Sequence, residues 1–274
     1  MIAEQAGTHE GIFDRMLDGI AAAKAADADA FKTWWCSSAE KAAARVHAPE
    51  LVEAYRVGEF PASWLPLLAE ASHAAGLELL VTVDCPEDIP LIAPHVDRFK
   101  VASWGASDRA FIEACLAFDK PLIVSAGAST PDDLLWAYDH PEDRIALLHC
   151  VSAYPTPPAE ANLGVLRRAY LPGKNAPPRY GANLNRAMIQ FAGFSDHTRH
   201  ILTGALAVAG GATILEVHFC LPETAADHPD RCVSHEPAAL AEYIRWARLA
   251  AVAMGTGEKR IMPSERENVR FRYV

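Results

Sequence analysis

No Cys-x-x-Cys pair occurs in this chain. Its six cysteines stand singly at Cys36, Cys85, Cys115, Cys150, Cys220 and Cys232, a pattern that excludes a zinc knuckle or a disulfide framework and fits reduced thiols. No Gly-x-Gly-x-x-Gly turn follows any early strand pattern, which removes the usual dinucleotide-binding signature. Long apolar runs are missing too. The longest uncharged one, Ile201 to Leu215, is too short and too glycine-rich to span a bilayer. At the N-terminus Glu4, His9 and Glu10 fall where a signal peptide needs apolar residues. These absences together lead us to expect a cytoplasmic protein with no membrane partner. Positive charge is scarce: 25 Lys and Arg face 35 Asp and Glu, for a net charge of −10. That balance argues against nucleic acid as a partner, while leaving room for a small basic pocket. Internal repeats and low-complexity tracts are also lacking.

What is present is a regular alternation. With 51% hydrophobic residues over 274 positions, the chain can remove about three quarters of its surface from water in one fold. Eight short, largely β-branched or aromatic runs read as strands: Ile2–Gln5, Ala28–Thr33, Glu78–Val83, Arg98–Ala102, Pro121–Ser125, Ile145–Val151, Gln190–Phe194 and Thr213–Phe219. Helical periodicity falls between them, over Gly11–Ala26, Ala62–Ala75, Asp108–Phe118, Pro131–Tyr138, Thr198–Ala209 and Pro237–Met254. Apolar strands without a polar face belong in a parallel sheet covered by helices. Eight such units in about 250 residues give an α/β fold of the (β/α)8 TIM-barrel type, read as one domain over residues 1–274. Two segments break the rhythm: an irregular connection, Arg45–Phe60, and a long Pro- and Gly-containing loop, Leu171–Ala187.

Barrel enzymes carry their chemistry at the C-terminal strand ends. The polar residues there are Glu4, Lys32, Thr82, Asp84, Lys100, Ser103, Ser125, Ser152, Tyr154, Ser195, Asp196, His197, Glu216 and His218. In Leu215-Glu216-Val217-His218-Phe219 the strand period sets Glu216 and His218 on one face and the three apolar residues on the other. His197 ends the neighbouring strand, so two imidazoles are brought within reach of one metal ion, with Mn²⁺, Mg²⁺ or Co²⁺ as candidates. A lysine in an apolar strand is costly unless paired. Lys32 and Lys100 therefore read either as anion ligands or imine formers, or as halves of an internal salt bridge, for instance to Glu4. Ser125-Ala126-Gly127 offers a hydroxyl and backbone amides suited to an anion. His149 and Cys150 read as core or supporting residues. Trp34 and Trp35 read as packing, with one indole available to wall a pocket.

The order and spacing of several blocks resemble the sialic acid synthase (N-acetylneuraminate synthase) family. They are Ile2-Ala-Glu4, His9-Glu-Gly11, Asp29-Ala-Phe-Lys32, Phe99-Lys-Val-Ala-Ser103, Lys120 to Gly127, Leu147-Leu-His-Cys150 and Tyr154-Pro-Thr-Pro157. Gly193-Phe-Ser-Asp-His-Thr198, Glu216-Val-His-Phe219, Pro229-Asp230, Ser234-His-Glu-Pro237, Gly255 to Lys259 and Ser264-Glu265 complete the match. The resemblance implies metal-dependent condensation of phosphoenolpyruvate with an aldehyde-bearing sugar, giving a 2-keto-3-deoxy sugar acid and phosphate. It implies that His197 and His218 bind the metal. Lys32, Thr82, Lys100, Ser103, Ser125 and Ser195 would hold phosphoenolpyruvate. Tyr154, Glu216 and Asp230 would face the sugar, and Glu4 would handle water or a proton.

The chain also departs from that pattern. The family's usual glutamine after the strand-two lysine is replaced around Trp34, and its strand-six asparagine is Ser152. The small antifreeze-protein-like domain that usually follows the barrel, with its arginine, has no counterpart in these residues. The expected cover for the site is the long loop, with Arg179 and Arg186, or the tail over residues 255–274, with Arg266, Arg270 and Arg272. A monomer and a homodimer are both compatible with this reading. Two other functions fit the same residues: a pyruvate-type aldolase or lyase, and a non-catalytic barrel that binds a sugar acid.

Overall fold

A computed structural model describes residues 1–141, 144–170 and 189–273. Eight parallel strands close in chain order into a barrel. They are β1 (Ile2–Ala6), β2 (Ala30–Trp34), β3 (Glu78–Thr82), β4 (Arg98–Val101), β5 (Leu122–Ser125), β6 (Ile145–Cys150), β7 (Gly193–Asp196) and β8 (Ile214–His218). The helices are α1 (Phe13–Ala25), α2 (Ala39–Arg45), α3 (Val52–Tyr55), α4 (Trp64–Ala74), α5 (Ile89–Ile92), α6 (Arg109–Leu116), α7 (Thr203–Gly210) and α8 (Pro237–Met254). After β5 and β6 the connections wind as 3₁₀ helices, Asp132–Asp139 and Leu163–Tyr170. The expected (β/α)8 TIM barrel is the observed fold.

Side-chain alternation divides the core in two. One face of the strands, including Phe31, Leu79, Val81, Phe99, Val101, Val124, Phe194, Leu215 and Val217, packs under the helices. The other face fills the barrel floor with Ile2, Ala30, Leu80, Ile123 and Leu148. Each of these buried side chains contributes of order 1.5–3 kcal/mol, the alanine less. Above that apolar floor the same inward face carries Glu4, Lys32, Lys100, Ser125, Ser195 and Glu216, all buried.

Two readings need correction. β7 begins and ends later than Gln190–Phe194 because its register is set by β8: Gly193 pairs with Ile214 and Asp196 with Val217. Gly193 is required there, since an added Cβ would run into the Ile214 carbonyl oxygen. Polar Ser195 and Asp196 belong to the strand because each has partners on its own face. The stretch up to Phe60 is also less irregular than its pattern suggested. Ser38 accepts a hydrogen bond from the Lys41 N–H (3.2 Å) and starts α2. That helix, Ala-Glu-Lys-Ala-Ala-Ala-Arg, has high propensity but no bulky apolar residue to show a period. Short turns and α3 then carry the chain across the top of the barrel. The long loop Leu171–Ala187, with Arg179 and Arg186, lies outside the described residues.

Candidate active site

At the C-terminal end of the strands the barrel opens into a cavity of about 430 Å³, a size suited to small metabolites. All thirteen residues singled out as metal, catalytic or substrate ligands line it: Glu4, Lys32, Thr82, Lys100, Ser103, Ser125, Ser152, Tyr154, Ser195, His197, Glu216, His218 and Asp230. The tail arginines Arg266, Arg270 and Arg272 do not. They are exposed and contribute nothing to the cavity wall, so within one chain the tail is not the cover that was expected.

The cavity floor is a charge network. Glu216 points inward from β8, where Ser195 Oγ donates to its Oε1 at 3.0 Å. Its carboxylate faces Lys100 Nζ at 3.5 Å and Lys32 Nζ at 3.7 Å. Lys100 also donates to Ser125 Oγ (2.8 Å) and the Val101 carbonyl (3.2 Å). Lys32 pairs with Glu4, whose other oxygen accepts the Ala6 N–H at 2.8 Å where β1 bulges. The salt-bridge reading and the anion-ligand reading of the lysines are thus compatible: the carboxylates keep both ammonium groups in place below an open cavity. Burial raises the cost of charging Glu216, but Lys100 and Lys32 outweigh it and hold its pKa down to about 2. Burial brings Lys32 down to about 7, against the pull of Glu216.

Beside this network the chain approaches itself closely at Gly127. Its N–H donates to Ser103 Oγ at 3.1 Å, and a Cβ there would collide with the hydroxyls of Ser103 and Ser152. The glycine therefore lets Ser103 and Ser152 close together at one corner of the cavity, while Lys100 holds Ser125.

Across the cavity stand the two histidines. His197 Nδ1 donates to the Val151 carbonyl at 2.9 Å, which leaves Nε2 as the free ring nitrogen, 3.4 Å from the Tyr154 hydroxyl. The His197 and His218 ring centroids are 5.2 Å apart. His218 Nδ1 is buried without a hydrogen-bond partner, and burial next to His197 and Lys32 holds this imidazole neutral, with its pKa well below the ordinary value. A neutral ring with an unused nitrogen, next to a second imidazole whose Nε2 meets only the Tyr154 hydroxyl, fits the donor set of a divalent metal. Among the described residues no group of three or more His, Cys, Asp or Glu is arranged as a complete metal cage, so further coordination positions would fall to water or substrate oxygens. Asp196, between the two inward residues Ser195 and His197, points the other way. It accepts from Thr203, the Tyr243 hydroxyl (2.8 Å) and the Thr198 N–H (2.8 Å), anchoring the turn that carries His197.

Several lining residues were missed or placed differently by sequence reasoning. Cys150 faces inward, with Sγ 3.8 Å from His197 Nδ1, whereas His149 faces out and stacks on Phe194. Trp34 walls the cavity while Trp35 is buried behind it, donating to the Phe60 carbonyl at 2.8 Å. Asp84 accepts the Trp34 indole N–H at 2.5 Å. Tyr55 and Trp104 at the rim and His228 beside Asp230 were not foreseen. His228 had one usable signal: its place before Pro229-Asp230, where its Nδ1 accepts the Asp230 N–H at 3.1 Å.

Comparison with known proteins places this geometry in context. The chain is 29% identical to an uncharacterized protein of Methanocaldococcus jannaschii, over 97% of this chain and 75% of that protein. It is equally similar, at 29% identity, to the N,N'-diacetyllegionaminic acid synthase of Legionella pneumophila, over 97% of this chain and 76% of the synthase. Among solved structures it resembles the N-acetylneuraminic acid (sialic acid) synthetase of Leptospira borgpetersenii, with a TM-score of 0.82 and 25% identity, over 99% of this chain and 90% of that one. The NeuB family model matches residues 19–259, a span that holds every site residue named above except Glu4, and this chain belongs to the NeuB family.

Proposed function

We propose that this protein joins phosphoenolpyruvate to an aldehyde-bearing sugar in a metal-dependent condensation. The products are a 2-keto-3-deoxy sugar acid and inorganic phosphate. The observation that carries the reading is the joint placement of two buried lysines, a cluster of serines and two imidazoles around one cavity. A trianionic enol ester needs ammonium and hydroxyl partners, and an aldehyde needs its oxygen polarised. The names of the Legionella and Leptospira relatives, an N,N'-diacetyllegionaminic acid synthase and a sialic acid synthetase, support the same chemistry.

In this reading Lys32, Lys100, Thr82, Ser103, Ser125 and Ser195 bind the phosphate and carboxylate of the donor. His197 and His218 would hold a divalent cation, Mn²⁺ foremost with Mg²⁺ or Co²⁺ as alternatives. Such a cation supplies Lewis-acid polarisation of the acceptor carbonyl when bound. C3 of the enol forms the new bond to the aldehyde carbon, whose oxygen takes up a proton to become a hydroxyl; a water oxygen adds at C2 and gives up both its protons as C2 becomes the keto carbon and the C2–O bond to phosphate breaks. Glu4, fixed by Ala6 and paired with Lys32, accepts one proton of that water. Glu216, 3.7 Å from Lys32 Nζ and 3.5 Å from Lys100 Nζ, keeps both side chains aimed at the cavity. Tyr154 and Asp230 border the acceptor, and although the Tyr154 ring is half exposed, its hydroxyl is turned into the cavity against His197, where withdrawal from water and nearby Asp230 raise its pKa well above the ordinary value. Ser152 lies at the same wall.

The test is phosphate release from phosphoenolpyruvate by purified protein with Mn²⁺ and a panel of aldoses. Acceptor-dependent release is expected, and its absence with every sugar would defeat the proposal. A lysine held at about 7 also suits imine formation, as in pyruvate aldolases. Borohydride trapping of pyruvate on Lys32 would favour that reaction instead.

A further inference from the structure

The turn that follows β1 sets the position of Glu4. The Glu4 carboxylate accepts the Ala6 N–H at 2.8 Å. Ala6 itself takes left-handed backbone, with a φ of 47°, a conformation that alanine keeps only where its surroundings hold it. Locally the turn closes through the Thr8 N–H on the Gln5 carbonyl and the Glu10 N–H on the Gly7 carbonyl, each at 2.9 Å. Side chains from other elements then fix it to the barrel. Thr33 of β2 donates to the Ala6 carbonyl at 3.2 Å, and Thr224 donates to the Thr8 carbonyl at 3.1 Å. The third is His228, which also lines the cavity. Its Nδ1 accepts the Asp230 N–H at 3.1 Å, capping the short helix Pro229–Cys232. The ring hydrogen therefore sits on Nε2, which donates to the Gly7 carbonyl at 3.1 Å.

The Ala6 N–H, the Ala6 carbonyl and the Gly7 carbonyl belong to three consecutive peptide planes. Glu4 holds the first, Thr33 the second and His228 the third. Released at Gly7, the left-handed Ala6 can relax and swing the N–H that aims the carboxylate, and a base displaced by about 1 Å loses much of its effect. We propose that His228 is a positioning residue: by pinning the Gly7 carbonyl it preserves the turn that holds the Glu4 carboxylate towards the attacking water. The inference rests on the condensation reading for that water, and on geometry alone for the hold on the turn.

Two substitutions divide the work of the ring. His228→Gln puts an amide N–H near the place of Nε2 and gives up the cap, whereas His228→Asn puts a carbonyl near the place of Nδ1 and falls short of Gly7. With Mn²⁺ and an accepted sugar, His228→Asn should lower kcat about 10- to 100-fold. The KM for phosphoenolpyruvate should stay within about twofold, and His228→Gln should recover most of the lost kcat. On a Glu4→Gln background His228→Asn should add little, because the group it positions is already gone. A ring that serves only as a helix cap gives the opposite ranking, with His228→Gln the more damaging, and its effect multiplies with that of Glu4→Gln. Either result would overturn the proposal. Hydrogen exchange at Ala6 and Gly7 in the full chain needs no turnover. Protection should fall in His228→Asn and persist in His228→Gln, and equal protection in the two would also overturn it. If the wild type releases no phosphate with any sugar, the condensation reading fails, and the exchange contrast alone decides whether His228 holds the turn.

Discussion

Lys100 and Glu216 stand on β4 and β8, on opposite sides of the barrel, yet Lys100 Nζ lies 3.5 Å from Glu216 Oε1. With Lys32 Nζ 3.7 Å from the same carboxylate, the interior is spanned by two cations sharing one anion from β8. Burying three charges is tolerated because each is paired, and Ser125 and Ser195 complete the hydrogen bonding. The arrangement holds two ammonium groups facing an open cavity, which is the state an anionic ligand needs to find.

Glu216→Gln should therefore cost stability, about 3 kcal/mol or more, by leaving two buried cations with only Glu4 between them. Urea unfolding measures the loss. Phosphoenolpyruvate, an anion offered to the same lysines, should raise the melting temperature of the variant by more than that of the wild type. Equal shifts would show that the donor does not engage this network.

Lys32 gives a pH dependence with a defined sign. Burial lowers its pKa from 10.5 to about 7, so the ammonium form is lost as pH rises through 7. The KM for phosphoenolpyruvate should rise between pH 7 and 9 and be flat below 7. Folding responds in the same window: from about 7 to 10.5 the unfolded chain binds more protons at this residue, so its contribution to stability grows with pH. Below 7 that contribution is gone. Donor kinetics from pH 6 to 9 and unfolding midpoints over the same range test the two halves separately.

His197→Ala and His218→Ala should each abolish stoichiometric Mn²⁺ binding, measured by electron paramagnetic resonance of free Mn²⁺. Chelator treatment of the wild type should stop phosphate release, and added Mn²⁺ should restore it. Stoichiometric Mn²⁺ bound by both variants would assign the imidazoles another role.

Gly193→Ala should be among the most damaging single-methyl changes in the chain. Its Cβ has no space against the Ile214 carbonyl, so either the β7–β8 ladder opens or the backbone shifts, at a cost of about 3 kcal/mol. Loss of protection from hydrogen exchange at Phe194 to Asp196 would report it. Wild-type protection and melting temperature in the variant would contradict the close approach.

Much of this was written locally. Apolar runs without a polar face marked all eight strands, although β7 was placed too early because Ser195 and Asp196 look like loop residues until their partners are known. The helix α2 was hidden for the opposite reason: alanines form helices well but leave no apolar period to read. The site residues were legible as polar side chains at strand ends, and period two put Glu216 and His218 on one face. The same period could not say which face of β6 turns inward. His149 was as good a candidate as Cys150 until the register fixed Cys150 in the cavity and His149 against Phe194.

The sequence by itself determined the alternation of strand and helix, the chemistry at each strand end and the family to which they belong. It did so because side-chain periodicity and residue type act over a few neighbouring positions. Only the tertiary structure decided that Glu216 serves both lysines, that Gly127 lets Ser103 and Ser152 close together, and that Trp34 and Asp84 wall the same cavity. Those relations join strands distant in the chain, and their distances exist only once the sheet has closed on itself with one register.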